Sequence, residues 1–278
     1  MTLSPPALPA TQHCTLTVQT TNLLGNLYYE NTRTTRLRKQ PLGKTATGWQ
    51  HAGSVLDFEQ TEPRGLAQLD ADTATLRREL VVETDAQGQL ARILNKAELR
   101  QHWDELHPRL RQKYRHSDQI TPAMIDGIGQ VLHGDGYLED VLRRGYEYGT
   151  LFPALYGRAY GPVPIPGQPR TLARFLGNLD LPLLTTVKEQ AQVPADMACG
   201  LLVEGQLSTD AYPAEAARQA LRTLTDQYDL DTTLRVQHLE SYEFDARHEL
   251  RHGAQFTVYG VEGVFFSKTI CTLEAHPV

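Results

Sequence analysis

Leu234-Arg235-Val236-Gln237-His238-Leu239-Glu240-Ser241-Tyr242-Glu243-Phe244, continued by Asp245-Ala246-Arg247-His248-Glu249-Leu250-Arg251-His252-Gly253, decides the fold. In the first part Leu234, Val236, Tyr242 and Phe244 fall at every second position, and His238 and Glu240 occupy the same parity. Strand residues two apart share a face. The pattern therefore predicts a strand over Thr233 to Phe244 that carries His238 and Glu240 inward with the apolar side chains. Such a buried imidazole–carboxylate pair can serve general acid–base work, and more often it is a satisfied structural pair. The second part matches the H-E-x-x-H pattern. On a helix, His248 and His252 would share a face and grip zinc. Glu249 would then act as base on the bound water, with Glu262, Glu274 or His276 as third ligand. The flanks oppose that geometry. Asp245-Ala246-Arg247 precedes the motif, Gly253 ends it, and strand-like runs (Ala254 to Gly260, Val264 to Glu274) follow. A lone helix of one or two turns is not stable in water. The motif reads as a charged turn between two strands, with a zinc-dependent hydrolase as the alternative.

Working outward, the same alternation recurs at both ends of the chain. Leu16 and Val18 alternate with polar neighbours, and the pattern resumes at Leu27 and Tyr29 after the turn signal Gly25-Asn26. Trp49 to Glu59, Thr73 to Thr84 and Gln89 to Leu94 add three strands, the last two joined at Asp85 to Gly88. Thr185 to Val193 and Ala198 to Leu207 form a later hairpin. A helical block separates the two groups. Asn95, with Glu98 three places on, reads as a capping box. It opens a helix with Leu99, Trp103, Leu106 and Leu110 on one face, kinked or split at Pro108. Thr121-Pro122 opens a second, with Met124, Ile125, Ile128, Val131 and Leu132 inward and Gly134 at its end. Asp135 caps a third that carries Leu138, Val141 and Leu142 and closes at Gly145. Asp210 caps a later one with Ala217, Leu221, Leu224 and Tyr228 inward. This order predicts an α+β fold: a curved antiparallel β-sheet meander wrapping a central helical block.

Residues 146–170 differ in kind. Tyr146, Tyr148, Phe152, Tyr156 and Tyr160 lie among glycines, and Pro162, Pro164, Pro166 and Pro169 follow at a spacing that forbids helix and central strand alike. A long loop is expected here, and long loops in compact domains are often functional. The expected organisation is a flexible tail over 1–13, with its Pro-rich Ser4 to Pro9, then one domain over 14–278 with a helical insert at 95–145 and the Tyr/Pro-rich loop at 146–170.

The chain of 278 residues is 40% hydrophobic and 22% charged, ordinary for a folded domain, and its formal charge of −6 gives no basic face for nucleic acid. The run Arg33 to Lys39, with Arg33, Arg36, Arg38 and Lys39, reads as the solvated face or end of a strand, with contact to an anionic partner as the alternative. No apolar run is long enough to span a membrane. With no leader recognisable, the expected compartment is the cytoplasm if the sequence is the full gene product. Cys14, Cys199 and Cys271 are too sparse for a disulfide framework or a zinc cluster and read as buried thiols. Nucleotide-loop, dinucleotide and nucleophile-elbow signatures are absent, so no cofactor is expected. Trp103 reads as core, while Trp49 is open between core and binding aromatic.

The element order resembles half-barrel carriers of the lipoprotein-localisation (LolA/LolB-like) type. That resemblance implies an apolar concave face that takes an acyl chain or a partner segment. The expected function is non-enzymatic binding or adaptor work on a protein segment or a small apolar ligand. The inward strand residues His238 and Glu240 and the aromatics Tyr146, Tyr148, Phe152, Tyr156 and Tyr160 would line the site. A structural subunit of a bacterial secretion or toxin-associated assembly is a further alternative. Oligomeric state is left open.

Overall fold

The computed structural model describes residues 1–62, 64–225 and 232–278. The chain opens with β1 (Thr2–Leu3), β2 (Gln12–Leu24), β3 (Leu27–Lys44) and β4 (Trp49–Gln60). Helix α1 (Gly65–Thr73) and a 3-10 turn (Ala74–Arg77) lead to β5 (Glu79–Thr84) and β6 (Leu90–Ile93). Four helices follow: α2 (Lys96–Lys113), α3 (Pro122–His133), α4 (Tyr137–Arg144) and α5 (Tyr146–Leu151). Two short strands, β7 (Arg158–Ala159) and β8 (Ile165–Pro166), precede β9 (Arg170–Leu176), β10 (Leu179–Glu189) and β11 (Cys199–Leu207). Helix α6 (Ala214–Thr225) then leads into β12 (Leu234–Phe244), β13 (Leu250–Val261) and β14 (Phe265–Pro277).

Twelve strands form one open antiparallel sheet in the order β6-β5-β4-β3-β2-β14-β13-β12-β11-β10-β8, with β9 also on β10. Two meanders, one from each end of the chain, therefore meet where β2 pairs with β14, Val18 opposite Cys271. Laid flat, twelve strands at about 4.8 Å spacing would extend roughly 50 Å. Yet Val82 and Ile93 at one end share a single apolar cluster with Val187 and Leu201 at the other. Gln168, just past β8, donates to Gln87 in the β5–β6 turn at 2.8 Å. The sheet must curve for its ends to meet so. α5 lies inside the curve, its Thr150 hydroxyl bonded to the Tyr146 carbonyl of its own turn and 3.5 Å from the buried Cys271 sulfur.

The alternation over 234–244 holds: His238, Glu240, Tyr242 and Phe244 are all buried on one face. Asp245 to Glu249 form the connection between β12 and β13, with His248 at a positive φ of 61°. His252 lies within β13, opposite Glu243 and Glu274. The two imidazoles share no helical face, so the helical H-E-x-x-H geometry is not formed. Among the described residues no cluster of three or more metal-ligating side chains occurs.

Several local expectations are corrected. Residues 1–13 are packed rather than trailing: Leu3 is buried, β1 pairs with β7, and the Leu3 carbonyl accepts from Gly157 at 2.7 Å. The span 73–84 holds the end of α1 and a 3-10 turn before β5 begins. The aromatic loop starts as helix α5, because Gly145 and Gly149 interrupt but do not forbid one turn of i→i−4 bonding, Gly149 to the Gly145 carbonyl at 2.9 Å. Pro108 leaves α2 unsplit; it sits on the exposed side, where water can take the freed carbonyl. Asn95 does not cap α2. Its amide clasps β5 instead, accepting from Val81 N–H at 2.9 Å and donating to the Glu79 carbonyl. Thr121 does cap α3, accepting from Met124 N–H at 3.3 Å. Gly136, not Asp135, precedes α4, and α6 begins at Ala214, beyond Asp210. Ala217 and Leu221 are buried; Tyr228 lies outside the described residues. All three cysteines are buried and unpaired, and burial pushes the Cys271 thiol up to about 12. No described helix is long and apolar enough to cross a membrane.

Candidate ligand cavity and a buried polar network

β3 places its run of cations on two faces. Thr35 and Leu37 are buried and Lys39 follows at the same parity, while Arg36 and Arg38 are exposed. The solvated reading of this run therefore holds for only half of it. Arg33 turns inward to Asp70 and Glu147, at 2.5 and 3.1 Å. Lys39 turns toward a cavity of about 310 Å³.

Four separate segments build that cavity. The Pro-rich lead supplies Pro5, Pro6 and Pro9 along one side. The β3–β4 hairpin supplies Lys39, Trp49 and His51, and the β5–β6 turn supplies Asp85 and Gly88. From α5 and the segment after it come Leu151, Phe152 and Tyr156, and the β12–β13 turn adds Glu249. The turn that carries the H-E-x-x-H residues fastens the lead in place. Glu249 Oε1 accepts from Ala10 N–H, and His248 Nδ1 lies 3.1 Å from the Ser4 carbonyl. Tyr156 donates to the His248 carbonyl at 3.0 Å. Gly48 is required at the hairpin, since a Cβ there would meet the Thr84 carbonyl at 2.2 Å.

Two buried polar atoms of this lining make no hydrogen bond, His51 Nδ1 and Glu249 Oε2, and the half-buried Lys39 has no ion pair among the described residues. His51 is 7% exposed, and its Nδ1 makes no hydrogen bond. Burial, and then the Lys39 charge, lower its pKa to about 3, so it is neutral near pH 7. The Lys39 ammonium lies 5.7 Å from the Phe152 ring centroid, a cation–π contact. Among the described residues no carboxylate comes within 4.0 Å of it. Burial lowers its pKa, and the more distant Cys14 and Glu249 oppose that shift only in part. Glu249 is itself engaged, 3.1 Å from Arg251.

The second polar site is the opposite case. Arg170 on β9 grips Glu240 with two hydrogen bonds of 2.7 Å. His238 bridges Glu240 and Thr257, each at 2.8 Å. Tyr242 donates to Glu240 at 2.6 Å and receives from Gln255 at 3.1 Å. Burial alone would raise the Glu240 carboxyl, but Arg170 and the His238 hydrogen bond outweigh it and hold the group well below the usual range. Arg170, His238, Gln255 and Tyr146 also border a cavity of about 260 Å³. Its Arg143 and Arg144 are already paired with Asp140 and Asp180.

The seven binding residues expected from sequence do not form one groove. Phe152 and Tyr156 line the first cavity; Tyr146 and His238 border the second. Tyr148 faces a small gap beside Arg77 and Glu147, and Tyr160 donates internally to the Leu155 carbonyl at 2.6 Å. Glu240 is consumed by its own partners. Trp49 belongs to the first cavity, and Trp103 is core. Sequence reading named Lys39 only within a basic run and missed His51. Lys39 shares the parity of Leu37 on β3 and His51 lies on β4, strands whose register the sequence does not reveal.

No family model matches the chain, and no curated protein matches it. Among solved structures it is similar to lipovitellin, in a study of that protein's lipid–protein interactions, with a TM-score of 0.46 and 9% identity. The alignment covers 97% of this chain and 25% of that one, so the chain spans about a quarter of the lipovitellin chain.

Proposed function

We propose that the protein is a non-enzymatic binder of a small, largely apolar molecule, held between the inner face of the β3–β4 hairpin and the aromatic segment after α5. One observation carries this reading: a cavity of about 310 Å³ in which Pro5, Pro6, Pro9, Trp49, Phe152 and Tyr156 stand beside polar groups that include Lys39, His51 and Glu249. That size and mixture suit small-molecule sites, in which apolar walls supply affinity and a few polar atoms fix orientation.

Two measurements test the reading. Native mass spectrometry of gently purified protein is expected to show an adduct of small-molecule mass. Nile red is expected to brighten on binding and to be displaced by decanol. Ala7→Trp, at an exposed wall position, is expected to weaken both signals. A dye that neither brightens nor is displaced in the parent protein would refute it.

A further inference from the structure

We propose that the molecule held in this cavity is an amphiphile with a single carboxylate head, which meets the Lys39 ammonium and the His51 ring while its tail lies along Trp49, Phe152 and Tyr156. The inference rests on the binding reading above and deepens it by assigning the chemistry of the head.

The argument starts from the cost of what is already there. A buried polar group without a partner carries a desolvation penalty, and a charge carries a larger one. His51 Nδ1 incurs that penalty in full, and the half-buried Lys39, without an ion pair among the described residues, incurs part of it in the same cavity; proteins keep such groups mainly where a ligand relieves them. Register explains how they are held. Lys39 stands opposite Gln12 on one side and Gly53 on the other, and His51 stands opposite Pro41, two places further along β3. Gln12 donates through Nε2 to the Leu250 carbonyl at 3.1 Å, and no hydrogen bond joins it to Lys39 among the described residues.

The charges around the cavity select a monoanion. Lys39 offers one cation, and neutral imidazole adds a hydrogen-bond donor, which together match the two oxygens of a carboxylate. Glu249 lies 3.1 Å from Arg251, a cation it shares with Asp245, and its Oε2 makes no hydrogen bond. Asp85 spends its carboxylate on the Gln87 and Gln89 N–H groups, both at 2.9 Å. Both acids still add negative potential, which works against a phosphate dianion. Lys44, the other cation on the wall, is exposed on the rim. Pro5, Pro6, Pro9, Trp49, Phe152 and Tyr156 offer an apolar tail its contact area, and the hydroxyls of Thr45, Thr47 and Thr84 lie in the same lining.

The test compares decanoate with decanol, alike in chain and different in head. Trp49 fluorescence reports occupancy in a Trp103→Phe background, which silences the only other tryptophan. Decanoate is expected to bind at least tenfold more tightly than decanol. Lys39→Met is expected to abolish that ratio while leaving decanol affinity within twofold, and Lys39→Arg to restore part of it. Decyl phosphate is expected to bind more weakly than decanoate. Should Lys39→Met not fold, the parent protein carries the test through pH. Decanoate affinity is then expected to fall as Lys39 loses its proton, below the ordinary lysine value, while decanol affinity stays level. The groups facing Lys39 are His51, Cys14, Glu249 and Arg251. Of these, His51 is already neutral across that range, and burial raises the Cys14 thiol. Equal affinity for the two heads in the parent, with decanol bound, would overturn the carboxylate assignment and leave the cavity reading standing. Failure of both probes would remove the cavity reading and the assignment with it.

Discussion

Lys39 and Arg170 are both cations drawn inside the same curved sheet, and they differ in company. Arg170 meets a carboxylate whose oxygens are also held by His238 and Tyr242, so every charge has its geometry filled. Lys39 has an aromatic face and an idle imidazole. The first arrangement is finished within the chain and leaves a ligand nothing to do. The second is unfinished, and the missing part has the shape of a small anion. Perturbed ionisable groups gather at functional sites, but structural networks perturb them too. Here it is satisfaction, rather than perturbation, that separates the two regions.

The sharpest way to break that contrast is to unfinish the finished site. Glu240→Ala leaves Arg170 buried without its partner and is expected to cost about 3–5 kcal/mol in denaturant unfolding. The double change Arg170→Met with Glu240→Leu is expected to recover most of it, since apolar replacements of similar volume remove both desolvation costs. Glu240 also has a pH signature. Its folded pKa lies below its unfolded value, so its contribution is present at neutral pH and fades as acid protonates the unfolded carboxyl, below about pH 4.3. Parent protein is expected to lose stability in that window more steeply than the double variant. A Glu240→Ala protein as stable as its parent would mean the network is not the keystone argued here.

His51 yields the next largest effect, again through pH. Its folded pKa of about 3 lies below the unfolded value of about 6.5, so between the two the unfolded chain binds a proton that the folded chain refuses. Stability then falls with falling pH, by at most about 1.4 kcal/mol per unit. His51→Asn is expected to flatten that slope between about pH 6.5 and 3, while the Glu240 contribution that fades below about pH 4.3 is left in place. Urea midpoints across that range check it. An unchanged slope would show that His51 is not shielded from water.

Lys39→Met reverses the sign. Removing a half-buried ammonium that lacks a counter-ion is expected to stabilise the empty protein by about 1 kcal/mol, the pattern seen where binding groups are kept at the expense of stability. The same substitution at Arg170 alone strands Glu240 and destabilises. A Lys39→Met protein less stable than its parent would place Lys39 with Arg170 among the satisfied groups.

The sequence carried the finished region better than the unfinished one. Period-two alternation over Leu234–Phe244 fixed the faces of His238 and Glu240, because four apolar residues set the parity. The order of strands and helices gave the α+β class for the same reason. Three of the longer elements escaped. Helix α1 has a thin apolar face, with only Ala67 and Leu69 buried. β9 follows a run of prolines that argues against a strand, and α5 hides among glycines and aromatics. The Lys39 cavity escaped altogether. Between Arg33 and Lys39 only Leu37 is apolar, so parity rests on one residue. The walls also come from stretches as distant as Pro5 and Glu249, whose meeting depends on β2 finding β14.

The smallest expected effect concerns His248, where pattern and structure disagree most. In a zinc site this side chain would be indispensable. In the β12–β13 turn it holds a positive φ, which histidine and asparagine tolerate better than most residues, and makes one exposed contact to Ser4. His248→Asn keeps the backbone and gives up the contact, so a loss within about 0.5 kcal/mol is expected. Zinc or a chelator is expected to leave the unfolding midpoint of both proteins in place. The lead would loosen only slightly, because Glu249 still holds Ala10 and the Leu3 carbonyl still accepts from Gly157. The decanol affinity of the cavity would therefore stay within twofold. A loss of several kcal/mol, or a midpoint raised by zinc in the parent alone, would return the histidines to the metal and leave Lys39 as a bystander.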